Sequence, residues 1–328
     1  MYSINKLYHC GIYQGEGKQK HYFEGWYFKH VDKEEKNIIS IIPGISFEDT
    51  PEKAHAFIQI IDGCSHKTNY VRYGIRDFRY SRKTFEIEVG GNVFSDKGIT
   101  LDIDREDLRI RGSLHYQDIV PWHSSLLSPN SMGWYGFIPV MECYHGVLSM
   151  QHSIAGSLEI NGRELCFDSG AGYMEKDWGT SFPSSWVWLQ SNHFEYENIS
   201  FMLSVARIPW HSKSFTGFII GLWYKGELYR FATYTGAKLE SLEHHGASVE
   251  VKVSDKNYRL VVKAHQGDTG SLQAPVKGAM IGKVQESVNA NLDILLVDKK
   301  TGRPAFSAKA RCCGMEIAGD IQELVSLP

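Results

Sequence analysis

The chain has 328 residues, 42% of them hydrophobic and 22% charged, with a formal net charge of −3. That length suits one large β-rich domain or two of ordinary size, either with a sizeable core. The near-neutral balance offers no basic field to nucleic acid or anionic lipid, and no apolar run reaches membrane-spanning length.

The N-terminal MYSINKLYHC lacks the apolar core of a secretion signal, so a soluble, cytoplasmic protein is expected. Six scattered cysteines form no C-x-x-C pair and read as reduced, mostly buried thiols. Seventeen Tyr, 16 Phe, 8 Trp and 31 Gly, in short alternating runs, point to a predominantly β fold.

In chain order, strands are expected around Trp26, Ile39 and Phe57, then near Phe85, before a long stretch at 117–145 holding three prolines. That stretch reads as a crossing loop that caps a cavity. Asp62-Gly63, Gly90-Gly91, Asn161-Gly162 and Lys225-Gly226 mark hairpin turns. The second half echoes the first: Trp26 to Trp186 is an offset of 160, Phe57 to Phe218 of 161, Met174 to Met315 of 141. A period near 160 residues is a duplicated domain rather than a solenoid repeat. The expected fold is all-β, two lipocalin-like antiparallel barrels in tandem with few short helices. They would span residues 1–170 and 171–328, intimately joined at 169–192.

The densest chemistry lies at 173–192, reading YMEKDWGTSFPSSWVWLQSN. In a strand, Trp186, Trp188, Gln190 and Asn192 share one face, a mixture suited to the wall of a greasy cavity with a wet end. Glu24 and Glu175 each lie close to a Trp, with Asp177 beside the second. A carboxylic acid kept neutral among indoles could protonate an alkene, and aromatic faces could hold the resulting cation. The plainer reading of either Glu is a buried ion pair with Lys29 or Lys176. No close metal-ligand spacing marks His55, His145 or His152, and no phosphate-binding or nucleophile motif occurs, so neither metal nor cofactor is expected. A hydrogen-bonded His at a pocket is the better reading of each.

With those residues in view, the chain resembles the tocopherol cyclase family. The carriers are HYFEGWYFK at 21–29, SMQHSIAGS at 149–157, EKDWGTSFPSSWVWLQSN at 175–192, SLQAP at 271–275 and GME at 314–316. The resemblance implies a duplicated lipocalin-like barrel pair related to AttH-like and carotenoid-hydratase proteins. It also implies a cofactor-free chemistry in which a prenyl double bond is protonated and a phenol oxygen closes a chromanol ring. Glu24, Trp26, Glu175, Trp178, Trp186, Trp188, Gln190 and Asn192 match the family's pattern, whereas Asp177 stands where the plant enzymes carry Asn. Glu175, with Asp177 or Glu24, is thus the expected proton donor. Trp26, His55, Tyr173, Trp178, Trp186, Trp188, Gln190 and Asn192 are the expected substrate contacts. The partner would be a hydrophobic small molecule, collected through peripheral membrane contact rather than a membrane span. The alternative is a non-catalytic carrier using the same cavity.

Overall fold

The computed structural model describes residues 4–325. Apart from the short helices α1 (Ile4–Tyr8) and α2 (Gln322–Val325), its regular structure is β-strand and single 3-10 turns. The chain divides into two compact units. The first runs to Phe182 and also takes Leu272–Lys283; the second holds Pro183–Ser271 and the residues from Val284 on. The division therefore falls at Phe182/Pro183 rather than at 170/171, because residue 170 opens a central strand of the first sheet.

The first unit contains β1 (Tyr22–Val31), β2 (Ile38–Phe47), β3 (His55–Asp62), β4 (Thr68–Gly74), β5 (Phe78–Tyr80) and β6 (Glu86–Val89). It continues with β7 (Asn92–Ser95), β8 (Gly98–Arg105), β9 (Leu108–Val120), β10 (Cys143–Ile160), β11 (Arg163–Cys166) and β12 (Gly170–Gly179). These pair in the order β4-β3-β2-β1-β12-β10-β9-β8-β7-β6-β5, with β11 beside β10. The end strands β4 and β5 are joined by the 3-10 turn Ile75–Asp77, so the sheet curls almost closed and few edges remain bare. Strand β8 shows why it forms: Ile99, Leu101 and Ile103 point inward while Thr100, Asp102 and Asp104 face out. Strands β1 and β12 differ, being buried almost throughout.

The second unit contains β13 (Trp186–Ser191), β14 (His193–Phe194), β15 (Ser200–Trp210), β16 (Lys213–Tyr224), β17 (Glu227–Ala232) and β18 (Lys238–His245). Then come β19 (Ser248–Ser254), β20 (Tyr258–His265), β21 (Gly270–Val276), β22 (Ala279–Asp298) and β23 (Pro304–Ala318). Of these, β21 from Leu272 on and the first residues of β22, to Lys283, belong to the first unit although they continue this sheet. Their order is β17-β16-β15-β13-β23-β22-β20-β19-β18, with β14 beside β23 and β21 beside β22. The core of this unit includes Val187, Leu189, Phe201, Leu203, Leu292 and Met315. Hairpins turn where expected: Asn161 and Gly162 take φ of 51° and 81°, Lys225 and Gly226 of 52° and 78°, the left-handed pair of a tight two-residue turn.

Both sheets follow one scheme. The first strand lies beside the last (β1 by β12, β13 by β23), and the chain runs outward to one edge. It then crosses by a single 3-10 turn and returns. Cross-strand register gives the correspondence: Phe28 faces Met174, and Leu189 faces Met315. The matching offsets are thus 161 for the first strands and 141 for the last. Trp26 corresponds to Val187, not Trp186. A one-residue slip reverses the face, so Trp186, Trp188 and Gln190 are not twins of Trp26, Phe28 and His30.

Candidate active site

Strand β12 presents two different chemistries on its two faces. On the barrel-interior face, Met174, Lys176 and Trp178 oppose Phe28, Trp26 and Glu24 of β1. Lys176 and Glu24 form a fully buried ion pair. The ammonium also donates to the carbonyls of Cys10 (2.6 Å) and Ile12 (2.8 Å), and lies 4.8 Å over each of the Trp26 and Trp178 rings. Burial pulls the pKa of Lys176 down while Glu24 pushes it back up. The Glu24 carboxylate accepts the backbone N–H of Gln14 (2.9 Å) and Gly15 (3.0 Å) and the Tyr22 hydroxyl (2.5 Å). Trp26 donates its indole N–H to Gly11 O at 2.8 Å. Glu24, Trp26 and Lys176 therefore clamp residues 10–15 onto the barrel. Glu24 is a structural carboxylate saturated with donors, not a free acid at a cavity.

The opposite face carries Tyr173, Glu175 and Asp177, with Tyr27 opposite Glu175 and His145 of β10 opposite Asp177. Asp177 Oδ1 lies 3.0 Å from His145 Nδ1, and His145 Nε2 lies 3.6 Å from Glu175 Oε2. Tyr173 donates its hydroxyl to the same Glu175 oxygen at 2.6 Å. Burial, reinforced by Glu175, holds the Tyr173 phenol far above its ordinary pKa, so it stays a neutral donor. Side-chain exposure falls from 24% at Asp177 through 13% at His145 to 6% at Glu175. The four side chains thus form a row from a solvent-touched carboxylate to a buried one, hydrogen-bonded at Asp177–His145 and at Tyr173–Glu175 and bridged by the 3.6 Å approach of His145 to Glu175. A proton can be taken at one imidazole nitrogen and passed on from the other.

His145, Glu175 and Asp177 also offer ligand atoms within 4.8 Å of one another, close enough to hold a divalent ion. The imidazole, however, turns opposite nitrogens toward the two carboxylates, and one ion can bind only one of them. The observed ring orientation suits proton transfer better.

The expected substrate contacts are distributed over both faces of β12, over β1 and β3, and over the second unit. Tyr173 stands beside Glu175, whereas Trp26 and Trp178 lie on the interior face; Trp178 stacks on Tyr144 with ring centres 5.3 Å apart. His55 is buried in β3, its Nε2 2.6 Å from the Tyr70 hydroxyl and its Nδ1 3.0 Å from Lys53 O, and burial lowers its pKa. Trp186, Trp188 and Gln190 belong to the second unit, on the face of β13 opposite its core, and Asn192 follows that strand. Trp186 donates its indole N–H to Glu316 Oε2 at 2.6 Å. His145 is the functional candidate that spacing alone did not assign. The only sequence signal for it is a histidine at the start of a long strand after an uncharged loop.

A family model described as tocopherol cyclase-like matches residues 93–319. The chain belongs to this family. The tocopherol cyclase-like match is supported by a probable chloroplastic tocopherol cyclase of Oryza sativa subsp. japonica. It is 22% identical over 200 residues, covering 58% of this chain and 42% of that protein. The chloroplastic tocopherol cyclase of Zea mays gives the same identity and coverage. The chain thus matches less than half the length of these relatives. Among solved structures, CghA with Sch210972 superposes with a TM-score of 0.58 at 9% identity, over 91% of this chain and 89% of that one. An AttH candidate from Nitrosomonas europaea gives 0.52 at 12% identity (90% and 92%), and kievitone hydratase from Nectria haematococca 0.51 at 10% (90% and 89%). These likenesses establish a shared all-β, lipocalin-like architecture. Among the described residues no helix is long and apolar enough to cross a membrane.

Proposed function

We propose that this tocopherol cyclase-like chain protonates a carbon–carbon double bond of a lipophilic, prenylated or otherwise unsaturated substrate and completes the reaction by ring closure or hydration. The observation that carries the proposal is the graded row Asp177–His145–Glu175–Tyr173, which couples a buried carboxyl to solvent. The Glu175 carboxyl would give its proton to the less substituted alkene carbon, leaving a tertiary cation. A phenol oxygen of the substrate, or water, would add to that cation. The proton released from the oxygen would return to Glu175, so atoms and charge balance without any redox step. His145 and Asp177 would relay that returning proton to Glu175, and Tyr173 would fix the carboxyl's orientation. Family membership supports cyclisation, and a hydratase among the structural neighbours supports addition of water. The same reading takes the two sheets, with their common strand scheme, as copies of one ancestral unit.

The test is incubation with a prenylated hydroquinone, following chromanol by chromatography. Glu175→Gln is expected to lower turnover at least about 100-fold and Asp177→Asn about 10-fold, general acid catalysis typically contributing ~10²–10⁴. Equal turnover by wild type and Glu175→Gln would remove Glu175 from the acid role. Tight binding with no turnover across prenylated hydroquinones and related alkenes would leave the carrier reading.

A further inference from the structure

Residues 119–141 contain no Asp, Glu, Lys or Arg, a long uncharged stretch for a chain with 22% charged residues. The structure gives this stretch two sides. Inward, Trp122, Met132 and Met141 are buried, and Ser131 Oγ donates to His145 O at 2.8 Å. Asn130 Nδ2 donates to Leu7 O at 3.2 Å, tying the segment to the N-terminal region. Outward, Leu126, Leu127 and Val140 are 81%, 77% and 77% exposed, with Trp134 and Phe137 also exposed.

The two leucines are held out rather than left loose. Ser125 and Ser128 exchange backbone hydrogen bonds of 2.8 and 2.9 Å, closing a two-residue turn with Leu126 and Leu127 at its tip. The Tyr8 hydroxyl donates to Leu126 O at 2.7 Å and braces that tip from one side. A turn closed by serines would accept Gly, Asn or Asp at its centre without strain; here two large aliphatic side chains project into water instead.

We infer that this loop is a membrane-docking surface and that its occupant is an uncharged, zwitterionic phospholipid bilayer. A two-residue tip cannot supply the roughly 800 Å² per partner that a standard protein interface buries. A fluid acyl layer asks for no complementary shape, only apolar surface. The lack of ionised groups over 119–141 matches a neutral lipid interface and gives nothing to an anionic one. Trp134 and Tyr135, stacked with centroids 4.0 Å apart, are the amphipathic aromatics that settle at headgroup depth. The role deepens the proposed one, because a lipophilic substrate would be collected where it dissolves. The loop's exposed apolar tip does not depend on Glu175.

The experiment is co-flotation of the full chain with pure phosphatidylcholine vesicles. Wild type is expected to float, with little dependence on salt, and the Leu126→Ser/Leu127→Ser variant to partition at least about 10-fold less, equivalent to ~1.4 kcal/mol. Ile281→Ser, at another exposed apolar residue (71% exposed), and Glu175→Gln are expected to float as wild type does. Glu175→Gln thereby separates failure of the docking inference from failure of the catalytic one. The inference is overturned if wild type ignores phosphatidylcholine, if the double variant floats unchanged, or if binding needs anionic lipid and vanishes with salt. It is equally overturned if the double variant abolishes concentration-dependent self-association in sedimentation while leaving flotation intact. Leu126, Leu127 and Ile281 are exposed, and Glu175→Gln replaces a buried side chain by one of the same size, so unchanged thermal unfolding confirms that each variant is folded.

Discussion

Replacing Glu24 separates the two carboxylates that look alike in sequence. Glu24 and Lys176 have no exposed side-chain surface, and the carboxylate accepts Gln14 N, Gly15 N and the Tyr22 hydroxyl besides the ammonium. In Glu24→Gln the Lys176 charge loses its counter-ion in a site with no exposed surface, and one amide N–H₂ is turned toward existing donors. Breaking a buried ion pair from one side costs about 3–5 kcal/mol. At roughly 2–4 °C per kcal/mol for a unit of this size, the unfolding midpoint should fall by about 6–20 °C. Lys176→Met should cost a similar amount. The double variant should cost less than the sum, since each single change already strands the partner. The assay is urea unfolding followed by tryptophan emission, paired with turnover per folded molecule. Glu24→Gln should be unstable but active below its transition, whereas Glu175→Gln should be the reverse. If Glu24→Gln stays within about 1 kcal/mol of wild type, or loses turnover while remaining stable, the clamp assignment is wrong.

Two further outcomes follow from buried groups and backbone geometry. Burial pushes the pKa of His30 down to about 3, and that of His152 well below its usual 6.5; His30 Nε2 lies 2.6 Å from the Tyr116 hydroxyl. Both rings are neutral when folded, so unfolding takes up protons below pH 6.5. Stability is full above that pH and is lost as pH falls toward 3, by about 2 kcal/mol for His30 at pH 5, with His152 acting in the same direction. Urea midpoints at pH 7, 6 and 5 check this, and a flat profile in that range would contradict it. Gly278 has φ of +83°, and a Cβ there would meet Phe47 O at 2.2 Å and Tyr22 N at 2.4 Å. Gly278→Ala should therefore destabilise the first unit by more than about 1 kcal/mol, read as a lower thermal midpoint.

Much of the architecture was legible because strand alternation and turn chemistry are local. Asn161-Gly162 and Lys225-Gly226 turn where a left-handed pair is needed, and the aromatic-rich runs became strands. The catalytic candidates were legible only in part. Glu175, Asp177 and Tyr173 alternate along one strand and do share a face, but His145, which links the two carboxylates, is 30 residues from Glu175 and arrives by pairing of β10 with β12. Glu24 looked equivalent to Glu175 because both sit beside tryptophan. Its ion pair with Lys176, 152 residues away, exists only because β1 lies against β12.

The sequence by itself determined that the chain is β-rich, that its halves echo each other, and that it carries the family's signature block. Alternation with period two says which residues share a face; it cannot say which face is the inside. That choice depends on register, and one residue of slip reverses it. The repeat therefore matched Trp26 to Trp186 in sequence, while the folded sheets match Trp26 to Val187. Tertiary structure alone placed Glu24 inside as a clamp, Glu175 on the opposite face beside His145 and Tyr173, and Trp186 with its neighbours on the second unit. Partners separated by more than a hundred residues meet through strand pairing, and no local pattern specifies them.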